Sequence, residues 1–146
     1  MEGLQVTLTM RDMVFDIELM PDLPMMRFDA NAVSQCVTNL LSNAEKYSKG
    51  ERWIGVKVRQ VVGFVEVLVS DHGIGIRAED IEHIFEPFFR SKEQNALRRK
   101  GTGIGLSITK VIMQAHGGDV IVRSNLGQGS TFILRFPEDL LINHEG

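Results

Sequence analysis

The stretch DANAVSQCVTNLLSNAEKY, residues 29–47, carries two side-chain patterns that both repeat at helical spacing. The first is an apolar stripe, which predicts an amphipathic helix with Asp29 as its N-cap. The stripe consists of Val33, Val37, Leu40, Leu41 and Ala44. The second stripe lies roughly 120° away around the helix. It consists of Asn39, Asn43, Lys46 and Tyr47.

The two asparagines of the second stripe are poor choices for a helix interior, because their side chains compete for backbone hydrogen bonds. They therefore suggest a helix that packs one face on the core and turns carboxamides, an ammonium and a phenol toward a ligand. On this helix alone, an ordinary solvated polar face explains the pattern equally well. The rest of the chain must decide between the two readings.

Composition limits the classes of protein to consider. A chain of 146 residues suffices for one domain with a real core. Its net charge of -3 and pI of about 5.8 argue against a nucleic-acid binder or an acidic-membrane binder. The single cysteine, Cys36, excludes an internal disulfide and favours a reducing, cytoplasmic location. The longest apolar run, near residues 61–69, is too short to span a bilayer, so no membrane contact by this chain is expected.

Alternating and β-branched runs predict six strands. They lie at residues 4–10, 14–19, 53–60, 64–70, 120–123 and 131–136. The first two are expected to pair through an Arg11-Asp12 turn, and the third and fourth to form a hairpin around Gly63. Helices are predicted at residues 29–47, at about 79–85 and from 105 to about 116. This order predicts an α+β, two-layer sandwich of a mixed, mostly antiparallel sheet on about three helices.

Two glycine-rich segments are candidate ligand loops. Asp71-x-Gly73-x-Gly75 ends a strand, where its carboxylate could accept a hydrogen bond from an amino group, although a turn with a solvated Asp is commoner. Residues 101–105, with glycine at every second position, begin a helix and could cradle phosphate. No strand precedes them and no Gly-Lys-Ser/Thr ending occurs, so they are neither a dinucleotide fingerprint nor a P-loop.

The histidines and aromatic residues give weaker signals. None of the four histidines, which are His72, His83, His116 and His144, has metal-ligand spacing to a cysteine or another histidine. His116 is expected to sit at a Gly-Gly helix stop as a cation favoured by the helix dipole. His83 is expected to be structural, and His72 could touch a ligand. The core or lid anchors are expected to be Phe85, Phe88 and Phe89. The polar, aperiodic residues 91–100 predict a mobile loop, whose basic side chains suggest an anion nearby.

Taken in order, several segments resemble the boxes of the ATP-binding catalytic domain of sensor histidine kinases. This domain belongs to the GHKL superfamily, which also includes gyrase, Hsp90 and MutL. NLLSNAEKY at 39–47 resembles the N box, DHGIGI at 71–76 the first glycine box, IFEPFFR at 84–90 the F box and GTGIGL at 101–106 the second glycine box. HGG at 116–118 and GQGSTF at 127–132 match the closing segments.

The resemblance implies the Bergerat, or histidine kinase ATPase, fold and a division of the chain. Residues 14–137 would form the ATP-binding catalytic domain, with a lid at about 77–104. Residues 1–13 would be an N-terminal strand or linker remnant, and residues 138–146 a C-terminal tail.

The resemblance also assigns roles in a site for ATP and Mg²⁺. The implied catalytic residues are Asn39, which supports the phosphate end, Asn43, which binds Mg²⁺, and Lys46, which pairs with phosphate. Asp71 would accept from the adenine amino group. The nucleoside would also contact Tyr47, Gly73, Gly75, Ile76 and Thr131. The triphosphate would be flanked by Gly101, Thr102, Gly103, Ile104, Gly105 and Leu106, with Phe89, Arg90 and the basic run 98–100 in or beside the lid.

The same resemblance implies that this chain is part of an enzyme. Relatives that hydrolyse ATP carry a Glu at the position of Asn39, and a carboxamide cannot take a proton from water. We therefore expect the chain to bind ATP and donate its γ-phosphoryl group to a histidine on a separate helical dimerisation/phosphoacceptor domain, with a response regulator downstream. The isolated chain is expected to be monomeric, while its parent kinase could be membrane-anchored. The alternatives are an anti-sigma-type serine kinase and a non-catalytic nucleotide-sensing module.

Overall fold

The computed structural model describes residues 3–10, 12–21, 26–48, 52–92 and 104–137, and all structural statements below concern these residues. They form a six-stranded mixed sheet with two helices on one face. The strands are β1 (Leu4–Met10), β2 (Met13–Leu19), β3 (Trp53–Val61), β4 (Phe64–Asp71), β5 (Asp119–Ser124) and β6 (Ser130–Pro137). The helices are α1 (Ala30–Lys46) and α2 (Gly105–Ala115).

The sheet has the order β1-β2-β3-β4-β6-β5. Strands β2 and β3 pair parallel across the α1 connection, and the other four neighbouring pairs are antiparallel. The predicted α+β sandwich, its mostly antiparallel sheet and all six predicted strands are confirmed. So are both hairpins, because Met10 pairs with Met13 and Val61 pairs with Phe64.

The prediction of a helix at about 79–85 is wrong. Four backbone N–H groups in this region, at every third residue from Asp80 to Phe89, each donate to the carbonyl three residues earlier, as in tight turns. None of them makes the bond four residues back that defines an α-helix. Pro87 disfavours helical backbone at the residue before it, and Phe88 has a positive φ of 67°. The described residues therefore contain two helices where about three were expected.

Helix α1 has the two faces that its sequence predicts. Asp29 is its N-cap and accepts a hydrogen bond from the Ala32 N–H at 3.1 Å. Its buried residues are Val33, Cys36, Leu40 and Ala44. The second stripe, from Asn39 to Tyr47, is half-buried on another side of the helix.

Helix α2 ends at the predicted glycine stop. Gly117 has a φ of 76°, and the Gly118 N–H donates to the Met113 carbonyl at 2.9 Å, which makes a Schellman motif.

His116, directly before this glycine stop, is not a cation, contrary to the sequence prediction. Its Nε2 accepts from the Asp29 N–H at 3.0 Å, and its Nδ1 lies 2.8 Å from the Ile112 carbonyl oxygen. These bonds require an uncharged ring protonated on Nδ1, which links the end of α2 to the start of α1.

The face of the sheet away from the helices contains a buried ion cluster. Glu66 on β4 is 1% exposed and lies between Arg59 on β3 and Arg135 on β6. Arg59 donates to Oε1 at 3.0 and 2.9 Å, and Arg135 approaches Oε2 at 2.8 and 2.7 Å. Burial is the strongest single influence and opposes ionisation. The hydrogen bonds and charges of the two guanidinium groups together outweigh it and lower the pKa of Glu66.

Glu66→Gln should therefore lower the free energy of unfolding at neutral pH by about 1–3 kcal/mol, because the amide keeps the shape but loses the charge. A carboxyl group with a lowered folded-state pKa stabilises the fold above its unfolded pKa and loses that contribution as the pH falls through the folded pKa. The difference between wild type and variant should thus shrink below about pH 4.5, the ordinary value of the group. Urea unfolding followed by Trp53 fluorescence measures it. Glu82→Gln, whose parent side chain is 77% exposed, is the control, and a pH-independent difference would contradict the argument.

Candidate functional site

The end of α1, the end of β4 and the start of α2 meet around one cavity. Asn43 comes from α1, Tyr47 directly follows this helix as its C-cap, and Asp71 comes from β4. The complete wall consists of Asn43, Tyr47, Asp71, Ile74, Gly75, Ile76, Ile84, Leu106, Ser130 and Phe132. The fold thus brings the polar stripe of α1 and the carboxylate of the first glycine loop to the same hollow.

The cavity is narrow. Its volume of about 20 Å³ is room for about one water molecule. A larger ligand can enter only when part of the wall moves. One side of that wall consists of Ile84 and Leu106, which flank the residues 93–103 that lie outside the described chain.

Asp71 is the buried charge of this cavity. It is the last residue of β4, pairs with Ile54 on one side and Ser130 on the other, and is 9% exposed. Its Oδ1 accepts from the Gly73 N–H at 2.8 Å and from the Ser130 N–H at 3.3 Å. Burial raises the pKa of Asp71, and these two bonds and the charge of His72 only partly offset it. Oδ2 has no donor among the described residues, so it remains available to accept from a ligand.

The glycines of the first loop are required by contacts with the protein's own backbone. A Cβ at Gly73 would lie 2.4 Å from the Tyr47 carbonyl oxygen, and one at Gly75 would lie 2.0 Å from that of Asn125. Ile74 between them donates to the Tyr47 carbonyl at 3.1 Å. Ile76, which follows, donates to Ser124 Oγ at 2.8 Å. The loop is therefore wedged between the end of α1 and the β5–β6 turn. Gly75 and Ile76 line the cavity, and Gly73 does not.

Asn39 does not line the cavity; it joins the two helices. Its Nδ2 donates to the Gly105 carbonyl at 3.2 Å and lies 3.5 Å from Thr109 Oγ1. Thr109 is fully buried, and its hydroxyl also donates to the Gly105 carbonyl at 3.0 Å. This network fixes the first turn of α2, which places Leu106 in the cavity wall.

The other predicted site residues differ in position. Lys46, in the last turn of α1, is half-buried and makes no ion pair with another described residue. Thr131 lies away from the cavity: its hydroxyl is 2.9 Å from that of Ser70, on the face opposite the helices. Its neighbours Ser130 and Phe132 line the cavity, as does Ile84, and the sequence analysis missed all three. Strand alternation together with the Asp71–Ser130 pairing was the signal that could have identified Ser130.

The predicted F box is only partly buried. Phe85 and Phe89 pack against the core, and Lys110 Nζ lies 5.0 Å from the Phe85 ring centroid. Phe88 is 74% exposed, so it does not anchor the core, and its role as a lid anchor stays a prediction. Arg90 is half-buried beside them. Gly101, Thr102, Gly103 and the basic run 98–100 lie outside the described residues; Ile104 immediately precedes α2.

The part of the chain that the structure describes has neither a cluster of metal-ligand side chains nor a membrane-spanning helix. Its histidine, cysteine, aspartate and glutamate side chains form no group of three or more that could hold a metal ion. Neither of its helices is long and apolar enough to cross a bilayer.

Comparisons with known proteins agree with this geometry. The family model of the histidine kinase-, DNA gyrase B-, and HSP90-like ATPases matches residues 28–140. The sensor protein SrrB of Staphylococcus aureus (strain NCTC 8325 / PS 47) is 33% identical over 111 residues, which are 76% of this chain and 19% of SrrB. The chain therefore spans about a fifth of the length of this relative.

Solved structures with a similar fold include histidine kinases. The mycobacterial sensor histidine kinase MprB superposes with a TM-score of 0.72 at 28% identity, covering 86% of this chain and 82% of that one. Full-length ShkA, solved in complex with AMPPNP, gives 0.73 at 27% identity over 84% of this chain and 25% of its own. The nucleotide-free catalytic domain of histidine kinase ThkA gives 0.63 at 32% identity over 75% and 69%.

Proposed function

Because this chain belongs to the histidine kinase-, DNA gyrase B- and HSP90-like ATPase family, we propose that it binds Mg-ATP for a sensor histidine kinase and donates the γ-phosphoryl group to a histidine on a separate helical domain. The observation that carries the proposal is the single cavity shared by Asn43 and Asp71. Residues 14–137 are the proposed catalytic domain. The phosphoacceptor domain and the sensor belong to the rest of a longer parent, since SrrB is about five times the matched length.

The base end of the cavity suits adenine. Asp71 Oδ2 accepts from no donor among the described residues and belongs to a side chain that is 9% exposed, which suits an exocyclic amino group as the donor. Apolar side chains of the wall would enclose the flat ring; they are Ile74, Ile76, Ile84, Leu106 and Phe132. Tyr47 lines the same cavity and would contact the nucleoside.

The other end suits phosphate and a divalent cation. Asn43 offers a carboxamide oxygen, and Mg²⁺ is commonly held by one or two side chains together with phosphate oxygens and water. Lys46, one turn further along α1, would neutralise phosphate charge. Asn39 would act indirectly, because its bond to Gly105 fixes the helix start beside the phosphates. Bound ATP would supply the phosphoryl group, and the chain would orient it.

Position 39 favours transfer over hydrolysis. An amide cannot act as a general base toward water, and the nitrogen of Asn39 is already committed to Gly105. The nucleophile must therefore come from the partner domain. A serine-kinase relative is expected to carry an acid at this position, which makes that alternative weaker.

The deciding experiment combines this chain with Mg-ATP and the helical phosphoacceptor domain of a sensor histidine kinase. Acid-labile phosphate on the partner supports the proposal. Acid-stable phosphate supports the serine-kinase alternative. No phosphate on the partner, with ATP still bound to this chain, supports a nucleotide-sensing module.

Asn43→Ala should remove the Mg²⁺ dependence of ATP binding, because the variant loses the proposed metal ligand but keeps the adenine contacts. Calorimetric isotherms with Mg²⁺ and with a chelator measure it: wild type should bind more tightly with Mg²⁺, and the variant equally with and without. Asn31→Ala, an exposed asparagine in the first turn of the same helix, is the control. An Asn43→Ala protein that still responds to Mg²⁺ would place the metal on another residue.

A further inference from the structure

We propose that Trp53 and His72, on the face of the sheet opposite the helices, are positioning residues that hold Asp71 in place for adenine. The inference rests on the proposed function and assigns to that site two side chains that do not line its cavity. Their rings are stacked, with centroids 4.2 Å apart and planes at 21°.

The orientation of the Trp53 indole is fixed by side chains of two other strands. Its Nε1 donates to Asp16 Oδ2 on β2 at 2.7 Å. The other oxygen of Asp16 accepts from the Thr7 hydroxyl on β1 at 2.8 Å. These two bonds, that from Trp53 first, lower the pKa of Asp16, so the acceptor stays ionised at neutral pH. The ring can therefore neither turn nor tilt without breaking a charge-assisted hydrogen bond.

Gly55 makes room for this ring. A Cβ at position 55 would lie 2.6 Å from the indole Cη2, so the ring covers the strand backbone where a side chain would otherwise stand. Gly55 pairs with Asp16 on one side and with Ser70 on the other, which is the row of the sheet just before Asp71. The absence of a side chain at this position thus lets the indole reach the end of β4.

His72 connects the stack to the cavity. It directly follows Asp71, and the next residue, Gly73, donates its N–H to Asp71 Oδ1 at 2.8 Å. On the other side, a Cβ at Gly129 would lie 2.0 Å from the Asp71 carbonyl oxygen and 3.0 Å from His72 Cα. Backbone contacts therefore confine the loop on two sides, and the ring stack is a side-chain contact that confines the His72 side chain itself.

A positioning role and a purely structural role predict different changes in nucleotide binding when the ring stack is lost. His72 is exposed and Trp53 is half-buried, and neither belongs to the core cluster, so loss of the stack should leave the fold intact. A shift of Asp71 weakens the contact with the 6-amino group of adenine, which guanine lacks. The positioning role therefore predicts a loss of discrimination between ATP and GTP, whereas general destabilisation would weaken both nucleotides alike.

The test measures dissociation constants for Mg-ATP and Mg-GTP in the wild type and five variants. Trp53→Leu and His72→Ala, which break the stack, should each weaken ATP binding roughly threefold to tenfold and leave GTP nearly unchanged, as expected for loss of an aromatic pair. The double variant should be no worse than either single one, because both remove the same contact. His72→Phe, which can still stack, should retain ATP affinity. Phe64→Leu removes an aromatic ring from the far end of β4 on the same face and is the control.

Equal weakening of ATP and GTP, additive single effects, or unchanged ATP affinity in Trp53→Leu would each overturn the inference. Failure of the wild-type chain to bind ATP at all would instead refute the proposed function, and the inference would fall with it. Thermal unfolding of each variant shows whether the fold is retained. If Trp53→Leu unfolds, the comparison of His72→Ala with His72→Phe decides, since neither changes the bond between Asp16 and β3.

Discussion

Replacing Asp71 with Asn should weaken ATP binding at least about tenfold and leave the fold intact. Asn can keep its oxygen in the place of Oδ1, where it still accepts from the N–H groups of Gly73 and Ser130. Its NH₂ group then replaces Oδ2, so a donor meets the amino group of adenine where an acceptor stood. Loss of a charge-assisted hydrogen bond is worth roughly 1.5–3 kcal/mol, which corresponds to a factor of ten or more in the dissociation constant.

Without nucleotide, the Asp71→Asn variant should be as stable as the wild type or more stable. The pKa of Asp71 is raised by burial, so its contribution to folding is favourable below its ordinary value of 3.8 and is lost as the pH rises through the folded pKa. At neutral pH the charged side chain therefore opposes folding, and a neutral amide removes that cost. Calorimetry for affinity and thermal unfolding for stability separate the two effects.

The control for Asp71→Asn is Asp119→Asn, the same chemical change on β5, away from the cavity wall. It should leave ATP affinity unchanged. Unchanged affinity in Asp71→Asn itself would contradict the placement of adenine at this carboxylate.

Gly75→Ala should destabilise the protein by about 2–5 kcal/mol. Two costs add: Gly75 has a φ of 71°, a conformation that a residue with a Cβ adopts only at about 1–2 kcal/mol, and the new methyl group would lie 2.0 Å from the Asn125 carbonyl oxygen. Because that neighbour is backbone, the loop or the β5–β6 turn must move, and such overpacking typically costs about 1–3 kcal/mol. The midpoint of thermal unfolding should fall by at least about 5 °C.

Two other glycines separate these costs. Gly127 has a similar φ of 81°, but a Cβ there would have no neighbour within 4 Å, so Gly127→Ala should show the conformational cost alone. Gly105 begins α2, and a Cβ there would make only ordinary contacts with Asn39, so Gly105→Ala should be neutral or slightly stabilising. Equal destabilisation at positions 75 and 127 would show that contact with Asn125 is unimportant.

Local patterns predicted most of the fold. The apolar stripe from Val33 to Ala44 keeps one helical period over about three turns, and it predicts both the helix and its buried face. The strands were predicted within one or two residues, because alternation reports the one-sided burial that a sheet on two helices imposes. The polar stripe on α1 and the acidic residue at the end of β4 were both identified from sequence, although only the fold shows that they share a cavity.

The failures concern contacts between distant segments. The charge state of His116 depends on the Asp29 N–H, 87 residues away, and no local pattern reveals that partner. The resemblance implies Thr131, whereas alternation along β6 turns Thr131 to the opposite face and places its neighbours Ser130 and Phe132 in the cavity wall. The short helix at 79–85 was expected from its composition, but Pro87 and the positive φ of Phe88 favour successive tight turns.

The segment between the two glycine loops is held at its ends by contacts that do not involve its own interior. Ile76 is bonded to Ser124 at one end, and Gly105 is bonded to Asn39 at the other. Part of its interior is held as well, because Ile84 is 5% exposed and Phe85 and Phe89 pack against the core. Since Ile84 belongs both to the core and to the cavity wall, a change at this position should alter the stability of the fold and the shape of the cavity together.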